Sequence, residues 1–236
     1  MGLSYPQKER YGIDDLRAIM TLLRSPEGCP WDRVQTHESI CSSMLEETHE
    51  AIEAIRKGDL DNMCEELGDM LLQVVFHAEM AREAGNFDFD NVVDGVCKKL
   101  LVRHPHVFGD VTAGDEGAAL RAWDAVKKQT KGNASSTDLL CSVPRTLPAL
   151  MRAGKVESRA ARAVSEITDG EAWLLRAEGL LASLREADAQ DREAAYGELL
   201  FCLTAAARRE DIDAEQALTV SIDTFIERFA AEEGAK

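Results

Sequence analysis

The chain has 236 residues, of which 43 are acidic and 27 are basic, so its net charge is −16. A hydrophobic fraction of 45% is ordinary for a globular protein, and this length predicts one or two domains rather than a disordered chain. So negative a charge excludes general binding to nucleic acid or to an anionic membrane surface, although metal ions can still mediate contact with phosphates.

The amino-terminal segment, residues 1–10, is polar and lacks the apolar core of a signal peptide. The most apolar stretch, Met70 to Phe76, is interrupted by Gln73 and is too short to span a bilayer. The six cysteines are far apart in sequence and form no C-x-x-C pair, which favours reduced thiols over a zinc ribbon or a redox motif. We therefore expect a soluble, cytoplasmic protein with no membrane partner.

Helical periodicity dominates the chain and long strand-like alternation is absent, so we expect an all-α fold, a helical bundle. Turn and capping residues divide the first half into three predicted helices: from Ile40 to just before Gly58, from Asp59 or Asp61 to Glu83, and from Asp88 or Asp90 to just before Pro105.

The remainder of the chain suggests a second unit. Residues 118–131 are predicted to form a short helix, and the small polar residues that follow are typical of a linker. The segment Gly197 to Phe201 is similar to Gly68 to Leu72, so the second half is interpreted as an altered copy of the first. The predicted organisation is a catalytic domain over 1–131, a linker over 132–146 and a degenerate second domain over 147–236.

Two acidic segments on the first two predicted helices form the strongest candidate site. Glu47 and Glu50 lie one turn apart on one helix face, as do Glu66 and Asp69 on the next helix. Glu47 and Asp69 are equally far from Gly58 along the chain, and so are Glu50 and Glu66, so an antiparallel hairpin places the pairs at matching heights. Clustered carboxylates repel one another unless a cation neutralises them, and an all-oxygen site favours Mg²⁺, or Mn²⁺, over zinc. The alternative is a solvated acidic helix face.

Two basic residues share one face of the third predicted helix, near its carboxyl end. Lys99 and Arg103 lie about one turn apart, where they could contact a phosphate group held by metal ions. The alternative is a pair of surface cations that complement the helix dipole.

Five segments cover most of residues 15–155: Gly28 to Asp32, Leu45 to Glu50, Glu66 to Asp69, His104 to Phe108, and Pro144 to Met151. Taken together, they resemble the MazG family of nucleoside triphosphate pyrophosphohydrolases. The resemblance implies an all-α homodimer that uses Mg²⁺ to split a nucleoside triphosphate substrate into a nucleoside monophosphate and pyrophosphate.

The resemblance also implies roles for individual residues. The family's metal ligands fall on the four carboxylates that the hairpin spacing selects: Glu47, Glu50, Glu66 and Asp69. Its substrate contacts fall on Lys99, Arg103, Trp123 and Lys127. Two further candidates come from the residues and not from the resemblance: Trp31 for stacking on a base or for simple packing, and Glu46, off the ligand face, for orienting the attacking water.

The second half departs from the family pattern. Ala195 and Glu198 stand where the paired acids should recur, and residues 173–181 offer only Glu178. Thr224 stands where the repeat would place the counterpart of Lys99. We therefore predict a catalytically inactive second unit that serves packing or dimerisation.

Two alternative functions stay open at this point. One is a related pyrophosphohydrolase with a narrower substrate, such as a particular dNTP or phosphoribosyl-ATP, although the Cys-Pro-Trp-Asp and His-Pro-His-Val-Phe segments favour MazG. The other is a non-catalytic nucleotide-binding or regulatory helical protein, which the degenerate second half suggests.

Overall fold

The structure is a computed structural model, and it describes residues 4–109, 114–115, 117, 135–163, 170–184 and 188–234. Within these ranges every regular element is a helix and no strand occurs, so the predicted all-α fold is confirmed. The chain divides into two compact units, Met1–Thr130 and Lys131–Lys236.

The described part of the first unit contains six helices: α1 (Ile13–Arg24), α2 (Pro30–Val34), α3 (Cys41–Lys57), α4 (Leu60–Glu83), α5 (Phe89–Arg103) and α6 (Pro105–Phe108). The three helices predicted between residues 40 and 105 are α3, α4 and α5, so this part of the prediction is confirmed. The predicted helix over 118–131 lies outside the described residues, as do Trp123 and Lys127 within it.

Local sequence signals set the ends of these helices. Gly58 ends α3 with a positive φ of 67°, a backbone conformation that glycine adopts at no steric cost. Asp59 then caps α4 by accepting a hydrogen bond from the Asn62 backbone N–H at 3.1 Å. Asp88 and Asn91 form a capping box at the start of α5. These short-range contacts fix a tight α3/α4 hairpin.

The core of the first unit lies where α1 and Ile40, which caps the start of α3, meet the second half of α4. Its buried side chains are Met20, Ile40, Val75, Phe76 and Met80. Burial of these side chains is the main stabilising contribution to this unit.

A buried charge ties α1 to the same end of α4. The Arg24 guanidinium forms a two-point ion pair with Glu83, at 2.9 and 2.7 Å, and lies over the Phe76 ring. It also donates to the backbone carbonyl of Asp32 in α2. One side chain therefore holds three helices together.

The described part of the second unit contains five helices: α7 (Ser136–Cys141), α8 (Ala149–Ala163), α9 (Gly170–Ser183), α10 (Ala189–Arg209) and α11 (Ala214–Gly234). Helix α7 lies in the segment predicted to be a linker. Arg159 of α8 donates to Leu139 and to Ser142, at 2.7 Å to the Ser142 hydroxyl, and Val143 is buried. The linker region thus contains a helix that packs within this unit.

The second unit is also built around a helical hairpin, α9 and α10, on which α8 packs. Glu157 of α8 is fully buried and forms ion pairs with Arg208 and Arg209 of α10. Among the described helices, none combines the length and apolar composition that crossing a lipid bilayer requires.

Candidate functional site

Three carboxylates meet in the groove between α3 and α4. Glu47 extends from α3, and Glu66 and Asp69 extend from α4. One carboxylate oxygen from each residue lies within 4.8 Å of the other two, and all three residues are half-buried. In the described part of the chain this is the one group of at least three acidic, histidine or cysteine side chains close enough to share a metal ion.

Negative charge accumulates in this cluster. Burial raises the pKa of Glu47 above its ordinary value, and the neighbouring charges of Asp69, Glu50 and Glu46 raise it further. Burial likewise raises the pKa of Glu66, and the surrounding carboxylates, Glu50 foremost, add to this effect. Since these neighbouring charges are negative, a bound cation would relieve the repulsion directly.

Glu50 lies at the edge of the cluster. It is exposed and does not belong to the set of oxygens within 4.8 Å. Its charge nevertheless acts on both Glu47 and Glu66, which places it in the same electrostatic neighbourhood. The structure therefore brings three of the four predicted ligands together and leaves the fourth beside them. Glu46 is exposed on the adjoining surface of α3.

Small side chains let the two helices approach closely enough for this arrangement. Ala51 and Ala54 of α3 are fully buried one turn beyond Glu47 and Glu50, toward the Gly58 turn. With no side-chain bulk between the helices there, the carboxylates of α3 and α4 face one another across a narrow gap. The hairpin turn and these alanines therefore position the site.

The predicted basic and aromatic contacts that the structure describes lie on helices other than α3 and α4. Lys99 is exposed on α5, and Arg103 is half-buried at the last residue of the same helix. Within the described part of the chain, no ion pair joins Lys99 to the carboxylates. Trp31 lies on α2 with 59% of its surface exposed, so it is not a core residue of this unit.

Two features of α4 near the carboxylates were not identified as functional from the sequence. Gln73, one turn beyond Asp69, is buried, with only 7% of its surface exposed, and its Oε1 has no hydrogen-bond partner among the described residues. His77, one turn further on, stacks on His37 with the ring planes 2° apart. The one sequence signal for Gln73 is that a glutamine interrupts the apolar stretch from Met70 to Phe76.

The second unit has a different arrangement at the corresponding positions. Arg176 of α9 forms an ion pair with Glu198 of α10. The separation of these two residues along the chain equals that of Glu47 and Asp69. Arg176 was not predicted, because the repeat implies an acid at its position. The second hairpin thus holds a basic side chain, Arg176, at the position that Glu47 occupies in the first.

Comparison with known proteins gives a consistent result. A family model described as the MazG nucleotide pyrophosphohydrolase domain matches residues 35–108, the segment that contains all the candidate ligands. The chain is 41% identical over 218 residues to the nucleoside triphosphate pyrophosphohydrolase/pyrophosphatase MazG of Thermotoga maritima, with 92% of this chain and 84% of that protein covered.

Two further relatives extend the comparison. A nucleoside triphosphate pyrophosphohydrolase of Escherichia coli K12 is 39% identical over 224 residues, covering 92% of this chain and 85% of that protein. The uncharacterized protein YabN of Bacillus subtilis is 43% identical over 226 residues. The alignment covers 93% of this chain and 46% of YabN, so the chain spans about half the length of that relative.

Proposed function

Because the chain belongs to the MazG family, we propose that it hydrolyses nucleoside triphosphates to nucleoside monophosphates and pyrophosphate. The observation that carries this proposal is the convergence of Glu47, Glu66 and Asp69 within the segment that the family model matches. Relatives named for this activity cover most of the chain, which makes it an enzyme of the hydrolase class.

The cluster has the chemistry of a site for a hard divalent cation. Its donors are all carboxylate oxygens, which Mg²⁺ and Mn²⁺ prefer and which zinc sites rarely use alone. Burial and repulsion between neighbouring carboxylates both raise the pKa values of Glu47 and Glu66, and such an ion would offset both effects. Glu47, Glu66 and Asp69 would hold the ion, Glu50 would complete its coordination from the edge, and Mg²⁺ is the proposed ion.

The residues around the cluster have separate roles in the proposed reaction. Water attacks the α-phosphorus, the bond from that atom to the bridging oxygen breaks, and pyrophosphate leaves. The divalent cation that Glu47, Glu66 and Asp69 would hold would supply polarisation of the phosphoryl oxygens and a lower pKa for the attacking water. Glu46 orients the attacking water, while Lys99 and Arg103 neutralise the charge that develops on pyrophosphate. Trp31, Trp123 and Lys127 are proposed as further contacts with the nucleotide.

We also propose that the protein is a homodimer. Helix α5 carries a row of apolar side chains that stay exposed in the single chain: Val92, Val93, Val96, Leu100, Leu101 and Val102. Leu67 and Leu71 of α4 are exposed as well. Helices with this much uncovered apolar surface are stabilised by association, and a second copy of the same chain presents the matching surface. Light scattering on the eluted protein should give twice the mass of the chain, and a monomer at micromolar concentration would contradict this.

The cytoplasm is the proposed location. All six cysteines lie in the described residues and none forms a disulfide. Unpaired, mostly exposed thiols are typical of a reducing compartment. Nucleoside triphosphates, the proposed substrates, are used in the same compartment.

The direct experiment is an assay of pyrophosphate release with Mg²⁺ over a panel of NTPs and dNTPs, using Glu50→Ala and Asp69→Ala as variants. Glu53→Gln serves as the control, since Glu53 is an exposed acid of α3 that pairs with Lys57 outside the cluster. We expect turnover in the wild type and in the control and its loss in the two variants. Undiminished turnover in both variants would overturn the proposed metal site.

A further inference from the structure

We propose that Gln73 is a specificity-determining residue that accepts a hydrogen bond from the nucleoside part of the substrate. The donor is an O–H group of the sugar or an N–H group of the base. This inference rests on the proposed function, because it takes the carboxylate cluster to hold the phosphates. Gln73 is proposed to contact the nucleoside, which is the part of the nucleotide that the metal does not reach.

The position of Gln73 on α4 supports this role. Residues about one turn apart on a helix are neighbours on one face, and Gln73 follows Asp69 at that spacing. At 1.5 Å per residue the two positions are about 6 Å apart along the helix axis. Glu66, Asp69, Gln73 and His77 consequently form one polar stripe on α4, with the carboxylates at one end.

The side-chain oxygen of Gln73 is buried and accepts no hydrogen bond from the described residues. The residue is 7% exposed, and no described residue donates a hydrogen bond to its Oε1. An unsatisfied buried acceptor destabilises the folded protein, so such groups are rare unless something outside the fold satisfies them. A hydroxyl or amino group of a bound nucleotide is a donor of the required kind.

The two ends of the polar stripe indicate which way the nucleotide lies. Toward the Gly58 turn the groove is lined by the buried alanines Ala51 and Ala54, which offer no hydrogen bonds. In the other direction, beyond Gln73, the rings of His37 and His77 stack with centroids 5.1 Å apart and Nδ1 atoms 2.8 Å apart. Ring surfaces and hydrogen-bonding groups suit a nucleoside, so the nucleoside extends from the phosphates toward Gln73.

The second unit provides an internal comparison. When Glu198 is aligned with Asp69, the residue that falls at the position of Gln73 is Cys202, which is fully buried. Cysteine in a core behaves as a small apolar side chain. The buried amide therefore accompanies the carboxylate cluster and is missing from the hairpin that lacks the cluster. If the hairpin needed an amide at this position only for its packing, both hairpins would carry one.

The test is the variant Gln73→Met, which keeps the length of the side chain and removes the acceptor. Its kcat/KM is measured for substrate pairs that differ by one donor: a ribonucleotide and its 2′-deoxy form, a 2′-deoxynucleotide and its 2′,3′-dideoxy form, and ATP and its analogue without the 6-amino group. We expect the wild type to prefer the donor-bearing member of at least one pair by about tenfold, and the variant to lose that preference alone. The pair that changes identifies sugar or base as the source of the donor.

Val75→Ala is the matched control, since Val75 is buried on the opposite side of α4. This variant should lower the melting temperature and leave every substrate ratio unchanged. A Gln73→Met variant that keeps all the ratios, or lowers kcat/KM equally for all substrates, would overturn the proposal and make Gln73 structural. The same ratios are measured by calorimetric binding with Mg²⁺, which needs no turnover. A wild type that binds nucleotides but releases no pyrophosphate would contradict the proposed function and still test Gln73.

Discussion

The two helical hairpins of this chain place charged residues at the same spacing and neutralise them differently. In α3/α4, Glu47 and Asp69 meet a third carboxylate, Glu66. In α9/α10, Arg176 and Glu198 have the same separation along the chain as Glu47 and Asp69, and they form an ion pair. The second hairpin therefore pairs its acid with a basic side chain, whereas the first brings three acids together. On the proposed function, the first hairpin takes its cation from solution and carries the chemistry, and the second serves packing.

The two units also bury charge on different helices. In the first unit, Glu79 of α4 is 8% exposed and pairs with Arg82 on the same helix. In the second unit, Glu157 of α8 is 1% exposed and joins Arg208 and Arg209 of α10. In the second unit the ion pairs themselves join two helices, whereas in the first the ion pair lies within α4 and Glu79 reaches α1 through a hydrogen bond from Thr21.

The largest expected effect is on catalysis by the first hairpin. Asp69→Asn removes one charge from the cluster while keeping its shape, and we expect kcat/KM for pyrophosphate release to fall about 1000-fold, because metal polarisation is worth several kcal/mol. Steady-state assays with Mg²⁺ measure this. Glu53→Gln, on the same hairpin but outside the cluster, should retain activity within about twofold. Equal losses in both variants would mean that the cluster has no special role.

The next effect concerns the stability of the second unit. Glu157→Ala leaves Arg208 and Arg209 without their buried carboxylate, and we expect the free energy of unfolding to fall by about 3 kcal/mol. Urea unfolding followed by circular dichroism measures the change. Glu193→Ala, an exposed acid on α10, should alter stability by less than about 0.5 kcal/mol. If the two variants were equally stable, the buried ion pairs would not be holding α8 to α10.

A smaller effect concerns how stability depends on pH. Its sign is opposite for Glu66, which lies in the cluster, and for Glu53, which lies outside it. The pKa of Glu66 is raised in the folded protein above its ordinary 4.5, so this group favours folding below that value and opposes it as the pH rises through the folded pKa. In EDTA at pH 7, Glu66→Gln should therefore melt higher than the wild type, and the difference should vanish in acid.

Glu53 provides the matched control for this measurement. Lys57 lowers the pKa of Glu53, so its ionised form stabilises the folded state above the ordinary pKa, and that contribution is lost as the pH falls. Glu53→Gln should accordingly melt no higher than the wild type at pH 7. Added Mg²⁺ should raise the melting temperature of the wild type more than that of Glu66→Gln. A Glu66→Gln variant that melts lower in EDTA would contradict the repulsion in the cluster.

The smallest expected effect is at the ion pair of the second hairpin. Arg176 and Glu198 are largely exposed, so Arg176→Ala should cost less than about 1 kcal/mol of stability. Pyrophosphate release should remain at the wild-type rate, since this hairpin is proposed to carry no chemistry. A loss of activity in a variant that remains folded would show that the second unit contributes to the reaction.

The sequence predicted the features that depend on residues close together in the chain. Gly58, Asp59 and Asp88 act within one turn of themselves, and the helix ends they predict are confirmed. Symmetric spacing about Gly58 was enough to select the carboxylates, of which Glu47, Glu66 and Asp69 converge. Glu50 lies just outside this set, a small displacement that spacing alone does not resolve.

Features that depend on tertiary packing were not predicted. Gln73 is buried with no partner for its Oε1 among the described residues, and Glu157 pairs with two arginines of another helix; sequence spacing shows neither. Arg176 was missed for another reason, because only acids were sought at the repeated positions. A search for any charged residue that precedes Glu198 at the spacing of Glu47 and Asp69 would have found it.

The most direct test of the proposed reaction is to follow it by ³¹P NMR in ¹⁸O-enriched water. With Mg²⁺ present, the account predicts equal amounts of nucleoside monophosphate and pyrophosphate, with the ¹⁸O in the monophosphate, since water attacks the α-phosphorus. The reaction should stop in EDTA and in Asp69→Asn and continue in Glu53→Gln. Release of orthophosphate with a nucleoside diphosphate, ¹⁸O in the pyrophosphate, or full activity in Asp69→Asn would contradict it.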